Sequence, residues 1–232
     1  MKDGIIKITG ILIVLTGLIL VLWQPLNNHV ISPYIIGQAQ EEVLSLSYED
    51  YERNRETLER RIETESEEEL FDYGSVESLD SLSVRIDIDH EFAIGNILIP
   101  SVDVHLPILM GTNDETLKAG IGTMKADQEM GKGNYALAGH NSRNPSQLFA
   151  PIRNIEEGEE IIVTDKNNVY IYEKVSSEVV MPDRTDVIND VEGEELVTLV
   201  SCYSDDGSDR IIITGELVDV LDYENVAEFL EK

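Results

Sequence analysis

The sequence holds a single cysteine, Cys202, one tryptophan and only four histidines. A lone cysteine excludes an internal disulfide and leaves three roles: an inert buried thiol, an intermolecular link or a reactive nucleophile. Cations are scarce as well, with seventeen Lys and Arg against 46 Asp and Glu, a formal charge of −29. A chain of that charge repels phosphate backbones and has no obvious basic patch to hold them, so nucleic acid is excluded as a partner. No internal repeat is present. At 232 residues, 42% of them hydrophobic, there is material for one domain with a sizeable core, and a second would be cramped.

What is present begins with an apolar stretch from Gly4 to Trp23, broken only by Lys7, Thr9 and Thr16. At about 1.5 Å per residue such a run is long enough for a transmembrane helix. Lys2 and Lys7 flank only its first end, so the lysine bias predicts residues 1–3 in the cytoplasm, an anchor at 4–23, and the rest outside the cell membrane. The run exceeds a usual signal-peptide core, and no small-residue cleavage site follows at Gln24-Pro25-Leu26, which argues against removal.

Between Glu41 and Leu82 there are 15 Asp and Glu against 4 Arg and no Lys. Leu44, Tyr48, Tyr51, Leu58 and Ile62 fall on one helical stripe, interrupted by Arg55, with Glu49/Arg53 and Glu56/Arg60 spaced four apart. Residues 24–82 therefore read as an acidic, partly helical stalk, ending in a flexible acidic joint over 65–82.

From Ser83 to about Asp222 the texture changes to short Ile- and Val-rich runs punctuated by Gly, Pro, Asn and Asp. Strands are expected at Ala93–Ile99, Val102–Leu109, Tyr135–Ala138, Glu160–Thr164, Val169–Val180, Leu196–Ser201 and Asp209–Val220, with a hairpin turn at Asp165–Asn168. Short helical windows fit Asn113–Ala119 and Pro145–Ala150. The fold class is mainly β: an antiparallel, closed barrel over 83–222 with a few short helices, followed by a polar tail at 223–232.

Of the histidines, His29 falls near the apolar run, His90 in the acidic joint and His105 within an alternating strand. His140 differs. It ends the run Asn134-Tyr135-Ala136-Leu137-Ala138-Gly139-His140 and opens a polar loop, a placement where sites are commonly built. Cys202 shares that placement after Leu196-Val197-Thr198-Leu199-Val200-Ser201, and Arg210 begins the run that follows its loop. If those two strands pair antiparallel, Cys202 and Arg210 lie at the same end of the sheet. A thiol needs a neighbouring base or cation to become nucleophilic, and a permanently charged Arg can donate to a developing oxyanion. Spacing alone leaves open a second role for Arg210, a salt bridge to Asp205, Asp206 or Asp209.

Together these residues resemble the sortases of Gram-positive bacteria, class A in particular. The family's Thr-Leu-x-Thr-Cys strand is matched by Thr198-Leu199-Val200-Ser201-Cys202, with Ser201 in place of Thr. Ala138-Gly139-His140 matches its histidine strand end, Arg210 its arginine, and Gly122-Thr123-Met124-Lys125 with Gly133–His140 the approach to that strand. The likeness spans roughly Ile94 to Val218. It implies a closed sortase-type barrel and a cysteine transpeptidase that cuts a Leu-Pro-x-Thr-Gly (LPXTG) sorting signal of exported proteins between Thr and Gly. Cys202 is then the thioacyl-forming nucleophile, His140 the proton donor and acceptor, and Arg210 the holder of carbonyl or oxyanion. Ala138 and Ser201 become expected substrate contacts. A peptidoglycan-precursor amine is the expected acceptor, so the partners are sorting-signal proteins, that precursor and the membrane.

No cofactor or metal is expected. In the family's calcium-dependent class A enzyme, acids just before the histidine strand hold the metal, and the comparable positions here fall near Lys125, Gln128 and Lys132. Asp127 and Glu129 remain, a poor oxygen cage beside two lysines. Two further readings stay in play: a thiol protease handing the acyl group to water, and a non-catalytic tethered domain binding partners through its acidic segment. The family's pilus-assembling class is less favoured, because Ser32-Pro33-Tyr34 only partly matches its lid motif and the C-terminal tail is polar.

Overall fold

The computed structural model describes residues 2–26, 30–64, 71, 89–142, 144–204 and 206–230; the side chains of 2–9, 11, 24, 32, 63, 64, 114 and 115 lie outside that description. Eight strands close a barrel: β1 Ala93–Ile99, β2 Val104–Leu109, β3 Ile121–Thr123, β4 Asn134–Ala138, β5 Glu160–Thr164, β6 Asn168–Val180, β7 Leu196–Cys202 and β8 Arg210–Asp222, ordered β1-β2-β3-β4-β7-β8-β6-β5. The sheet is mixed rather than antiparallel, since β2 pairs β3 and β4 pairs β7 in parallel. That departure decides the geometry of the site, because a parallel β4/β7 pair brings both strand ends to the same rim.

Burial on both faces explains why these strands read as near-continuous apolar runs. Ile97, Ile108, Ile121, Leu137, Val163, Val197, Leu199 and Ile213 are fully buried in one cluster. A second cluster, with Ala136, Ala138, Val200 and Ile212, lies under Val187 and Ile188. At the hairpin, the Asp165 carboxylate accepts from the Asn167 and Asn168 amides at 2.9 and 2.8 Å while Lys166 takes φ of 65°.

Helix α1 covers Lys2–Leu26, so the apolar run is helical. Its expected role as a span is corrected: among the described residues no helix is long and apolar enough to cross a membrane. The transmembrane anchor at 4–23, the membrane as a partner, and the single-pass topology with an extracellular barrel are withdrawn with it. Lys2 and Lys7, on which the orientation rested, have side chains outside the description, as has His29, and the joint over 65–82 lies outside it except for Phe71.

The acidic segment is no free stalk. Helices α2 (Ser32–Leu44) and α3 (Tyr48–Thr64) dock on β1 and β2, burying Val43, Tyr51 and Leu58 completely or nearly so. Tyr51 donates to Asn96 Oδ1 at 2.8 Å, and Asn54 Nδ2 donates to the His90 and Ala93 carbonyls at 2.7 and 2.9 Å. Lys166 Nζ reaches back to the Leu44 and Leu46 carbonyls, each at 2.7 Å, satisfying the acceptors left at the end of α2. Helix α4 (Asp114–Ala119) forms where expected, with Asn113 Oδ1 accepting from the Thr116 amide at 3.0 Å. Within the polar tail Tyr223–Leu230 forms helix α5.

Candidate active site

The site grows from the shared rim of β4, β7 and β8. Strands β4 and β7 run parallel with Ala138 beside Val200, and the Gly139 amide extends the ladder by donating to the Val200 carbonyl at 3.0 Å. His140 and Cys202 each follow a member of that last pair by two residues. On the other side β7 and β8 run antiparallel, and Cys202 is the direct partner of Arg210. Side chains two apart on a strand share a face, so Cys202 and Arg210 continue the row of Val200 and Ile212, and His140 follows Ala138 by the same step.

Each member of the row is held by its neighbours. Gly139 gives His140 its close seat: a Cβ at that position would stand 2.6 Å from the Phe149 ring. Phe149 in turn donates its amide to the His140 carbonyl at 3.1 Å. His140 and Cys202 are both buried, at 3% and 1% exposure. Arg210 is half-buried, and its Nη1 donates to the Gly207 and Asp209 carbonyls at 2.9 Å each, bracing the loop that follows the cysteine. Asp209 turns away to Ser204, accepting from its amide at 2.7 Å and its hydroxyl at 2.8 Å. Among the described residues Arg210 makes no ion pair with Asp206 or Asp209, and Asp205 is outside them.

Of the expected substrate contacts, Ala138 is fully buried and Ser201 donates its hydroxyl to the Gly139 carbonyl at 2.8 Å. Ser201 thus ties the cysteine strand to the histidine strand. The other described histidines sit elsewhere: His90 Nε2 lies 3.7 Å from Glu42 Oε1, and His105 on β2 has its pKa lowered by desolvation and then by Lys166.

The lysines before the histidine strand are engaged. Lys125 Nζ contacts Asp190 Oδ1 at 2.6 Å, and Lys132 pairs with Glu129, which lowers that carboxyl's pKa. Among the described residues no group of three or more His, Cys, Asp or Glu is placed to hold a metal ion.

Two residues escaped the sequence reading. Asp190 receives the Asn134 amide at 2.9 Å and so fixes the start of β4. Arg153, on the short 3-10 helix Ala150–Asn154, bridges the loops after His140 and Cys202. Neither has a spacing signal, because each contacts its partner through the fold rather than along the chain.

Residues 97–218 match the model of the sortase domain. The chain is 34% identical over 215 residues to sortase A of Listeria monocytogenes, covering 91% of this chain and 90% of that protein. It is 38% identical over 154 residues to sortase A of Bacillus anthracis, covering 66% and 73% respectively. The crystal structure of Listeria monocytogenes sortase A superposes with a TM-score of 0.58 at 36% identity, over 61% of this chain and 99% of that one.

Proposed function

This chain belongs to the sortase family of cysteine transpeptidases, and we propose that the row His140, Cys202 and Arg210 carries its chemistry on a Leu-Pro-x-Thr-Gly-type sorting signal. The supporting observation is the direct Cys202–Arg210 pairing on the rim where β4 delivers His140.

Reaction begins from a Cys202 thiolate beside a protonated His140. The thiolate adds to the carbonyl carbon of the signal's Thr, and the oxygen takes up negative charge. Arg210, permanently cationic and on the same face, donates to that oxyanion, which is where a preorganised donor lowers the barrier most. The tetrahedral species collapses as the Thr–Gly C–N bond breaks, and His140 supplies the proton that leaves with the Gly amine. A thioester joining Thr to Cys202 remains. An incoming primary amine then attacks the thioester carbon, His140 accepts its proton, the C–S bond breaks, and the thiolate and imidazolium are restored. A peptidoglycan-precursor amine is the proposed acceptor and exported sorting-signal proteins the proposed donors. Ala138 enters through shape, as a small side chain two residues before His140, whereas Ser201 points to the other face from Cys202 and enters by holding the two strands together through its hydroxyl.

Product analysis separates transfer from proteolysis. A Leu-Pro-x-Thr-Gly peptide incubated with excess primary amine is expected to give chiefly the new amide, and hydrolysis only slowly without amine. Acid product at one rate regardless of amine would instead identify a thiol protease.

A further inference from the structure

We propose that Arg153 is a positioning residue for the transfer reaction, holding the loop after His140 and the loop after Cys202 at a fixed separation. The assignment rests on the reading that His140 and Cys202 form the site.

The need for such a residue follows from where the sheet stops. The last described ties between β4 and β7 are the Gly139 amide on the Val200 carbonyl and the Ser201 hydroxyl on the Gly139 carbonyl. Beyond these ties β4 and β7 no longer pair with each other. His140 enters a loop closed by the Asn141–Leu148 bridge, and Cys202, still paired to Arg210, ends β7 before the turn at Tyr203. Proton exchange between an imidazole and a thiol requires a fixed separation, yet the backbone ladder no longer sets it at this point.

Arg153 spans the gap. Its Nη2 donates to Asn141 Oδ1 and to the Tyr203 carbonyl, each at 3.2 Å. One acceptor is on the residue that follows His140, and the other on the residue that follows Cys202. The guanidinium also lies over the Tyr203 ring, with Cζ 5.2 Å from the centroid, so a planar cation is held by face and by edge at once. The base of the side chain is fixed as well. Ala150, Pro151 and Ile152 of its helix are buried, and the helix is fastened to the histidine loop through the Phe149 amide on the His140 carbonyl. Asn141 is 3% exposed, so its carbonyl oxygen depends on a protein partner. A misplacement of about 1 Å between reacting groups costs on the order of 10²-fold in rate.

The test uses the full chain with Arg153→Ala, Arg153→Lys and Arg153→Met, read by kcat and KM on a Leu-Pro-x-Thr-Gly peptide with amine and by the pH profile of Cys202 alkylation. Arg153→Ala is expected to lower kcat about 10- to 100-fold with KM little changed, and to shift the alkylation profile because the His140–Cys202 separation is no longer set. Arg153→Lys, which keeps a donor and the charge, recovers part of both. A merely structural arginine would move melting temperature and leave the alkylation profile in place. Arg153→Met keeps the packing of the stem and removes the donors, so it answers the same question if the alanine variant unfolds early. Wild-type kcat and profile in the folded alanine or methionine variant, with Cys202→Ala and His140→Ala inactive, would overturn the assignment. An active His140→Ala would overturn the site reading itself, and Arg153's role with it.

Discussion

Cys202 and Arg210 stand directly opposite each other across the antiparallel pair β7/β8. Residues so paired place their Cβ atoms about 4.5–5.5 Å apart on one face of the sheet. A thiolate at one position and an acyl oxygen above it are therefore both within reach of the guanidinium at the other. Arg210→Ala is expected to leave Cys202 open to alkylation and to lower transfer by about 10²–10³-fold, the usual scale for losing one oxyanion donor. Arg210→Lys keeps the charge without the planar fork and should recover only part. Near-normal transfer by a folded Arg210→Ala would return Arg210 to a role as a brace for the Gly207 and Asp209 carbonyls.

The docked helices make a separate claim on stability. Leu58 is fully buried in the barrel's main cluster, and Tyr51 seals the other end of α3 through its bond to Asn96. Leu58→Ala is expected to destabilise by about 2–5 kcal/mol, and Tyr51→Phe by about 1–3 kcal/mol because Asn96 loses a buried partner. Denaturant titration measures both. A free acidic stalk would register neither change.

Asp190 supplies a pH signature. Its carboxyl is held below the usual carboxylate range, first by the hydrogen bond from Lys125 and then by the Asn134 amide. A depressed folded pKa gives stability that is present above the ordinary range, about pH 4, and lost as pH falls through the folded value. Asp190→Asn should therefore melt earlier than the parent at neutral pH, with the two curves converging below about pH 4. Parallel curves down to low pH would show that the carboxylate's charge does nothing for the start of β4.

Much of this was legible along the chain. The β-branched runs at Ala93–Ile99 and Glu160–Thr164 have the same bounds in sequence and structure, because strands buried on both faces carry their signal locally. The Cys202–Arg210 juxtaposition was also readable, since a hairpin connects neighbours in sequence. Other features depend on contacts between distant segments. Strand β3 is only three residues long, and the parallel β4/β7 pairing joins residues some sixty positions apart. The helix anticipated at Pro145–Ala150 lies instead at Ala150–Asn154, where Pro151 occupies the first turn. The acid count of α3 hid its docking face, because Tyr51, Asn54 and Leu58 are few among many charges, yet they are the buried groups among the described side chains of that helix. The apolar run at the N-terminus carried a local helix signal, and that helix formed. Its assignment as a membrane span did not hold over the described residues.

The central claim is that Cys202 becomes the acyl carrier, with His140 delivering the proton that frees the leaving amine. It is met most directly by mass spectrometry of the intact protein after brief exposure to a Leu-Pro-x-Thr-Gly peptide without added amine, quenched in acid to preserve thioesters. The wild-type chain is expected to gain the mass of the acyl fragment ending in Thr, located at Cys202 and discharged by a primary amine. Cys202→Ala should gain nothing, and His140→Ala should form the adduct far more slowly while remaining folded. Cleavage of the peptide by folded Cys202→Ala, or an acyl adduct located anywhere other than Cys202, would contradict the account.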